Sequence, residues 1–506
     1  RSRQRDELIE HLHLIQDHFG CLKHAHLAAL AHEMKLALTE VYEVATFYAH
    51  FDIVPEAVEP PAPLTVRICD SISCALAGSE GLYSALRHEL GPGVRVLPAP
   101  CMGRCDHAPV ACVGRHSVDE ASVSSIEEAV RAGRVEPVLP EARLYEQYHA
   151  EGGYRLLRSC RQGECSPDHL IGKIEESGLR GMGGAGFRSA MKWRLVREQP
   201  APRLMAVNAD EGEPGTFKDR YYLETDPHRF LEGMLIAAWA IEAERIYIYL
   251  RDEYPQLHIL LRRELAKLQR QGLVEPGRVV LRRGAGAYIC GEETAMLESI
   301  EGKRGYPRHK PPFPTQQGLF GRPTLIHNVE TLYWVRAIVE QGPQWMAGQG
   351  RHGRQGLRTF SVSGRVNEPG VKLAPAGITA RELIEEYCGG MLDGHVLKGY
   401  LPGGASGGIL PASLADLPLD FGTLEPHGCF IGSAAVVVLS DHDDLREVAI
   451  NLMKFFAEES CGLTDAHAAA CTPHLGASAP GDPSWISSAS TSPARSRGPA
   501  RQRDRT

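Results

Sequence analysis

Two close pairs of cysteines, each set just past an apolar strand-like run, constrain this chain more than any other feature. Cys69 and Cys74 form C-x4-C at the end of "LTVRIC", and Cys101 and Cys105 form C-x3-C after "VRVLPAP". The helix-like "GSEGLYSALRHEL" lies between them. Strand, loop, helix and strand in close succession predict a small α/β domain. Two loops of such a domain can converge and supply four thiolates. An iron–sulfur cluster uses such a set, and zinc is its rival, although zinc pairs more often have two intervening residues. Four unrelated buried cysteines would be the plainer reading, which pairing at two loop tips disfavours.

The rest of the chain must fit around that domain. Helical periodicity runs through residues 6–50 and stops at the proline-rich "VPEAVEPPAP". Residues 141–165 are polar and irregular and read as a connector. From 170 to about 340, apolar strands alternate with helices and glycine-rich joints, the pattern of a larger α/β domain. Residues 358–430 read as β-rich, and beyond "DHDDLREVAINLMKFFAEES" the sequence becomes low-complexity and reads as disordered. A length of 506 residues with 43% apolar content can build several cores. The net charge of −8 argues against a nucleic-acid partner. "CFIGSAAVVVL" at 429–439 is too short to span a bilayer, so no membrane insertion is expected. Thirteen cysteines without secretory features suit metal or redox work in the cytoplasm better than disulfides. Cys160 and Cys165 repeat C-x4-C in the connector with no second pair nearby, and read as two surface or half-buried thiols.

Two glycine loops suggest a ligand. "SGLRGMGGAGFRSAMKW" at 177–193 holds Gly181, Gly183, Gly184 and Gly186, but a helix-like run precedes it where a Rossmann turn needs a strand. Its backbone N–H groups can still meet a phosphate, and Lys192 adds a cation. "RRGAGAYICGEETAMLE" at 282–298 follows a strand and enters a helix. There Glu292 and Glu293 either cap the helix or receive ribose hydroxyls. Between the loops, "VNADEGEPGTFKDR" brings Asn208, Asp210, Glu211 and Glu213 to a strand's carboxyl end, where α/β sheets bind ligands.

Taken together, "GLRGMGGAGF…KW", "NADEGEPGTFKDR", "GAYICGEET" and "EGKRGYPRHKPPFPTQQGLFGRPTLIHNVETL" resemble the flavin- and NADH-binding subunit of respiratory complex I and its relatives. The paired-cysteine domain resembles the thioredoxin-like [2Fe-2S] subunit that accompanies it. Their fusion in one chain most resembles the beta (diaphorase) subunit of NAD-dependent, molybdenum- or tungsten-containing formate dehydrogenase. The resemblance implies an N-terminal helical region (1–60), a thioredoxin-like [2Fe-2S] domain (61–140), a connector (141–175) and a Rossmann-like FMN- and NADH-binding α/β domain (176–345). A small β-grasp-like domain (346–430), the start of a helical [4Fe-4S] domain (431–463) and an aberrant tail (464–506) would follow.

By the same resemblance Cys69, Cys74, Cys101 and Cys105 would hold the [2Fe-2S] cluster. Gly183, Gly184, Lys192, Asn208, Asp210, Glu211, Tyr288, Gly291, Glu292 and Asn328 would line FMN, and Gly186 of the first glycine loop is expected to bind cofactor as well. Phe187, Glu213, Lys310 and Phe313 match positions around the nicotinamide nucleotide, with Glu213 nearest the chemistry and Glu293 as a hydroxyl acceptor. Leu195 and His327 depart from residues found in some relatives. The implied reaction is hydride transfer between nicotinamide and flavin. Electrons would come from a large molybdenum- or tungsten- and Fe–S-containing formate dehydrogenase subunit. A complex I or NAD-reducing hydrogenase subunit is the alternative, and an assembly module that has lost electron transfer is a third.

The end of the chain breaks the pattern. Relatives continue after "ESCG" with C-x-x-C and a distant fourth cysteine for a [4Fe-4S] cluster. Here Leu463 and Thr464 stand in the next places and only Cys471 follows. Cys461 is then a ligand by ancestry without a site as written, because two cysteines cannot supply four thiolates. A frame error or a genuine frameshift near residue 463 is the expected cause.

Overall fold

A computed structural model describes residues 3–462 of the chain, a mixed α/β structure with three main sheets. Leu463, Thr464, Cys471 and the expected tail 464–506 lie outside the described residues.

The largest unit is built on a wholly parallel four-stranded sheet, ordered Thr324–Asn328, Arg203–Ala209, Ala243–Leu250 and Val279–Arg283. Its strands read as near-continuous apolar runs because both faces are covered. Alternation along them divides the side chains between two cores. Met205, Val207, Ile246 and Ile248 enter one core with helices Pro167–Glu176, Ser189–Arg197, Pro227–Ala240 and Pro255–Arg270. Leu204, Ala206, Tyr247 and Tyr249 enter the other. That second face is covered by the N-terminal helices Leu8–Phe19, His24–Met34 and Leu38–Phe47, whose buried Leu8, Leu12, Leu27, Val41 and Val44 complete it. The N-terminal region thus serves as a layer of the large domain.

The stretch expected to be a connector folds differently. Tyr145–Ala150 and Arg155–Arg161 are helices, and Tyr145, Tyr148, Tyr154, Leu157 and Cys160 lie buried in the first core. Glu232 explains why so polar a segment goes inside: it accepts from Tyr148 Oη at 2.6 Å and from the Tyr154 amide at 2.9 Å. Cys160 is correspondingly buried, while Cys165 is half-buried.

The small domain pairs Leu64–Cys69 in parallel with Val94–Ala99 and antiparallel with Ala111–Val113, which continues to His116–Val118. Helices Ser79–Glu89 and Val123–Arg131 supply Leu82, Leu86, Ile126 and Ala129 to its core. A third, mixed sheet runs Gly370–Pro375, Leu357–Gly364, Ala435–Ser440, Leu397–Leu401, Leu410–Pro411. Its centre is Ala435–Ser440, which the sequence had assigned beyond residue 430 to the C-terminal unit; the β-rich unit therefore extends to 440. Helix Leu445–Glu458 then lays Val448, Leu452 and Phe455 on Leu401, Val437 and Leu439. No helix among the described residues is long and apolar enough to cross a membrane.

Candidate functional site

A cavity of about 600 Å³ opens at the carboxyl end of the parallel sheet, where the large domain meets the third sheet. Asn208 and Asn328 are register partners on adjacent strands and both end at this cavity. Asn208 donates to the Gly291 carbonyl at 2.8 Å and accepts from the Asp210 amide, so one side chain ties two expected loops together. Asn328 caps helix Val329–Tyr333 and donates to Asp219. Gly183, Gly184, Asp210, Glu211, Glu213, Tyr288, Gly291 and Glu292 line the same space. Gly184 has φ +131°, which L side chains rarely adopt, and its backbone is bare toward the cavity.

The acids divide by their partners. Glu211 accepts from the amides of Asp219 and Arg220 at 2.8 and 3.1 Å and from Tyr254 Oη at 3.0 Å. Burial, with Asp219 nearby, still pushes its carboxyl up to about 7. Asp210 is pushed to about 8 by burial, and its Oδ2 is buried without a hydrogen-bond partner. Glu213 is raised by burial and is held by the Ser406 amide and hydroxyl at 2.6 and 2.7 Å, and by Tyr288 Oη. Lys218 is fully buried between Asp219 and Glu330, each 2.9 Å away.

Other expected residues stand beside the cavity lining. Glu292 accepts from the amides of Thr294 and Ala295, so it caps helix Glu293–Ile300 while also facing the cavity. Lys310 bridges Glu292 and Glu293 at 3.0 and 2.9 Å, and Lys192 reaches Glu293 at 3.3 Å. Burial opposes ionisation of Glu293, yet these two lysines hold it below the usual range. Phe187 and Phe313 are large apolar residues, 45% and 52% exposed. Gly186 does not line the cavity; it makes room for Phe421, which does. His327 is buried and accepts from Trp193 Nε1 at 2.6 Å, a packing role.

The sequence reading missed the opposite wall. Ser406, Phe421, Phe430, Ile431 and Gly432 come from loops of the third sheet. Their signal was "PGGASGG" at 402–408, four glycines in seven residues, ahead of "FIGS". Gly404 has φ +84°, and a Cβ there would lie 2.6 Å from Glu213 Cγ.

The four cysteines of the small domain do converge. Cys69, Cys74, Cys101 and Cys105 are 1–5% exposed, and the Cys101 and Cys105 sulfurs are 3.3 Å apart. The neighbouring Cys101 and Cys74, with burial, push the Cys69 thiol well above its ordinary value. Hydrogen bonds from Cys105 and Cys69 hold the Cys101 thiol well below its ordinary value. Their loop packs on Phe217 and is tied to the large domain. Arg251 donates to the carbonyls of Cys101 and Glu211, and Arg220 Nε to that of Gly103 at 2.8 Å. Cys461 is half-buried on a separate cavity of about 350 Å³ with Glu43, Phe47, Tyr306 and Glu459, and is the only cysteine among its described lining residues. Ile289 borders both cavities, and Glu459 accepts from the Tyr288 amide at 3.0 Å.

These residues fit the groups expected. A bare glycine backbone, an unpaired buried carboxylate oxygen and paired asparagines suit a polar, flat cofactor such as FMN. Four buried thiols at two loop tips suit a [2Fe-2S] cluster.

Comparison with known proteins agrees. Residues 174–337 match the family described as the Nuo51 FMN-binding domain, and residues 1–134 match the thioredoxin-like [2Fe-2S] ferredoxin family. The chain is 45% identical over 342 residues to an F-type subunit of the NADH-quinone oxidoreductase of Rhizobium meliloti (strain 1021), spanning 65% of this chain and 81% of that protein. It is 41% identical over 327 residues to the F-type subunit of the NADH-quinone oxidoreductase of Escherichia coli (strain K12), spanning 63% and 73%. Among solved structures, the NAD+-reducing [NiFe]-hydrogenase in its air-oxidised state superposes with a TM-score of 0.81 at 30% identity, covering 94% of this chain and 85% of that one.

Proposed function

The chain belongs to the family of NADH-quinone oxidoreductase F-type subunits, and from that premise we propose that it is the diaphorase subunit of an NAD-dependent formate dehydrogenase. It is an oxidoreductase subunit that binds NADH, FMN and a [2Fe-2S] cluster and transfers electrons within a larger complex. What supports a diaphorase-type reading is the fusion of both modules in one chain, which sets it apart from F-type relatives that match 65% of it, with the cysteine loop bonded to the flavin-side strand ends through Arg251. Bound FMN supplies a centre that exchanges two electrons with nicotinamide and single electrons with a cluster.

The chain's residues supply binding and alignment. Gly183 and Gly184 admit the cofactor to the backbone, while Asn208, Asp210 and Asn328 offer polar groups at the strand ends. Glu213, fixed by Ser406 and Tyr288, orients the nucleotide at the cavity. Phe187 and Phe313 give stacking surface, and Lys310 with Glu293 gives charge and a hydroxyl acceptor. The partner would be a large molybdenum- or tungsten- and Fe–S-containing subunit.

A hydrogenase diaphorase is the second reading, supported by the 94% coverage of this chain in that superposition. Mass spectrometry of the native complex, with NAD+ reduction by formate and by H2 measured side by side, tests both. Formate-dependent reduction and a molybdenum- or tungsten-bearing large subunit are expected. H2-dependent reduction with a nickel-bearing partner would reject the formate assignment.

A further inference from the structure

The first glycine loop borders two cavities. Gly183 and Gly184 line the one already described, while Gly178, Arg180 and Met182 line another of about 520 Å³. The lining of this second cavity is cationic. Five arginines, Arg180, Arg188, Arg194, Arg354 and Arg358, meet three carboxylates, Glu175, Glu176 and Asp420. Arg194 pairs with Glu175 and Arg358 with Asp420, both at 2.6 Å. Arg180, Arg188 and Arg354 pair with no carboxylate among the described residues. Arg180 and Arg354 reach only the carbonyls of Gly186 and Phe421, at 3.1 and 3.4 Å.

The backbone concentrates this charge. Arg180 and Arg188 face each other across an isolated antiparallel bridge. Amide bonds from Gly181 to Phe187 and from Ser189 to Leu179, at 2.8 and 3.0 Å, flank that bridge. It is therefore the close, non-hydrogen-bonded kind of pair, whose side chains leave on one face. Like charges so placed repel each other. Helix Ser189–Arg197 begins at the same point without a side-chain cap, and its first-turn Ala190 and Met191 line the cavity. The unpaired N–H groups and dipole of a helix start favour an anion. Arg358 comes from the third sheet and is 4% exposed. Its guanidinium lies 4.3 Å from the Phe421 ring centroid and donates from Nη2 to Asp420, yet its Nε is buried without a partner. Burial lowers its pKa, and Asp420 and Glu330 offset this only in part, so the buried cation is short of negative charge.

We propose that this cavity binds a small molecule through a phosphate group, held among Arg180, Arg188, Arg354 and Arg358. Guanidinium forks match phosphate oxygens two at a time, which suits arginine here better than a point charge. The volume exceeds what one phosphate fills and lies in the range of small-molecule pockets. Leu179, Met182 and Met346 give the remainder an apolar wall. The site stands on its own residues, so a chain that fails to retain FMN would count against the flavin assignment and not against this site.

The test is calorimetry on full-length protein loaded with FMN, so that the flavin's own phosphate position is filled. Inorganic pyrophosphate and ribose 5-phosphate are the probes. One molecule per chain should bind saturably, and more weakly as salt is raised. Arg188→Gln and Arg354→Gln should each weaken binding at least about 10-fold, since each removes charged hydrogen bonds. Lys310→Gln, at the expected nicotinamide-nucleotide position, should leave it unchanged. Tighter binding of either probe supports the site and tells whether an organic or an inorganic phosphate is preferred. Absence of saturable binding by both probes would overturn the proposal. So would unchanged affinity in both arginine variants with flavin and melting temperature retained, or a loss confined to Lys310→Gln, which would put the phosphate at the nucleotide position.

Discussion

At the residue scale, the cavity's acids differ in what they await. Glu213 has every oxygen engaged by Ser406 or Tyr288, so its carboxylate is held in one place. Glu213→Ala leaves those donors unpaired, a loss of about 1–3 kcal/mol. We expect the KM for NADH to rise about tenfold with flavin retained; an unchanged KM in steady-state ferricyanide assays would remove Glu213 from nucleotide binding. Asp210 is the opposite case, a buried carboxyl raised to about 8 with one oxygen unpaired. A carboxyl whose folded pKa exceeds its unfolded value binds its proton more tightly in the folded state. Stability in flavin-free protein therefore falls as pH rises from about 4 toward 8, and the loss is complete above the folded pKa. Asp210→Asn should flatten that part of the melting-temperature profile. Identical slopes in the two proteins would show that the group does not stay neutral. These acids were legible in "NADEGEPG" because one strand end presents them together. The unpaired oxygen of Asp210 was not, since it depends on what fails to approach it.

At the element scale, legibility followed locality. Loops adjoining the parallel strands were readable, because strand, glycines and helix succeed one another along the chain. The wall carrying Ser406, Phe421 and Phe430 arrives from another sheet, and nothing local announces which cavity those loops will face. The connector was misread for a related reason. Its polarity is satisfied by Glu232, about 80 residues away in sequence, so composition alone indicated solvent. Strand Ala435–Ser440 was placed too late because its apolar run is followed directly by a helix, and only pairing with Leu357–Gly364 and Leu397–Leu401 fixes its sheet. Gly404 tests the junction of the two sheets. Gly404→Val adds a side chain at φ +84° against Glu213 Cγ, so it should displace the carboxylate without touching the first glycine loop. NADH KM should rise as in Glu213→Ala while flavin content holds. A flavin-replete Gly404→Val protein with normal NADH kinetics would argue that Glu213 is not set by this loop.

At the scale of the whole molecule, the question is where electrons can pass between this chain and a partner. Arg251 and Arg220 lock the cysteine loop to the flavin-side strand ends, and Phe217 fills the space beside Cys101 and Cys105. That makes the four-thiol site part of the same rigid body as the cavity, so a cluster there can form whether or not the chain's end is complete. Cys461 stands across Ile289 from the same cavity, where a second centre would continue the path, but it is the one described cysteine on its side. A [4Fe-4S] cluster needs four thiolates, and 461–506 holds two cysteines, Cys461 and Cys471. Chain purified without partners should therefore contain about two iron atoms, all in a [2Fe-2S] signal. Cys101→Ser should abolish that absorbance and EPR signal and leave NADH–ferricyanide activity, since ferricyanide accepts electrons without the cluster. Six iron atoms would show that a second cluster assembles with borrowed ligands. Zinc in place of iron at the four thiols would reject the cluster assignment. With about two iron atoms confirmed, electrons from a large partner subunit would have to enter through the [2Fe-2S] side, and Cys101→Ser in the native complex should then stop donor-dependent NAD+ reduction entirely.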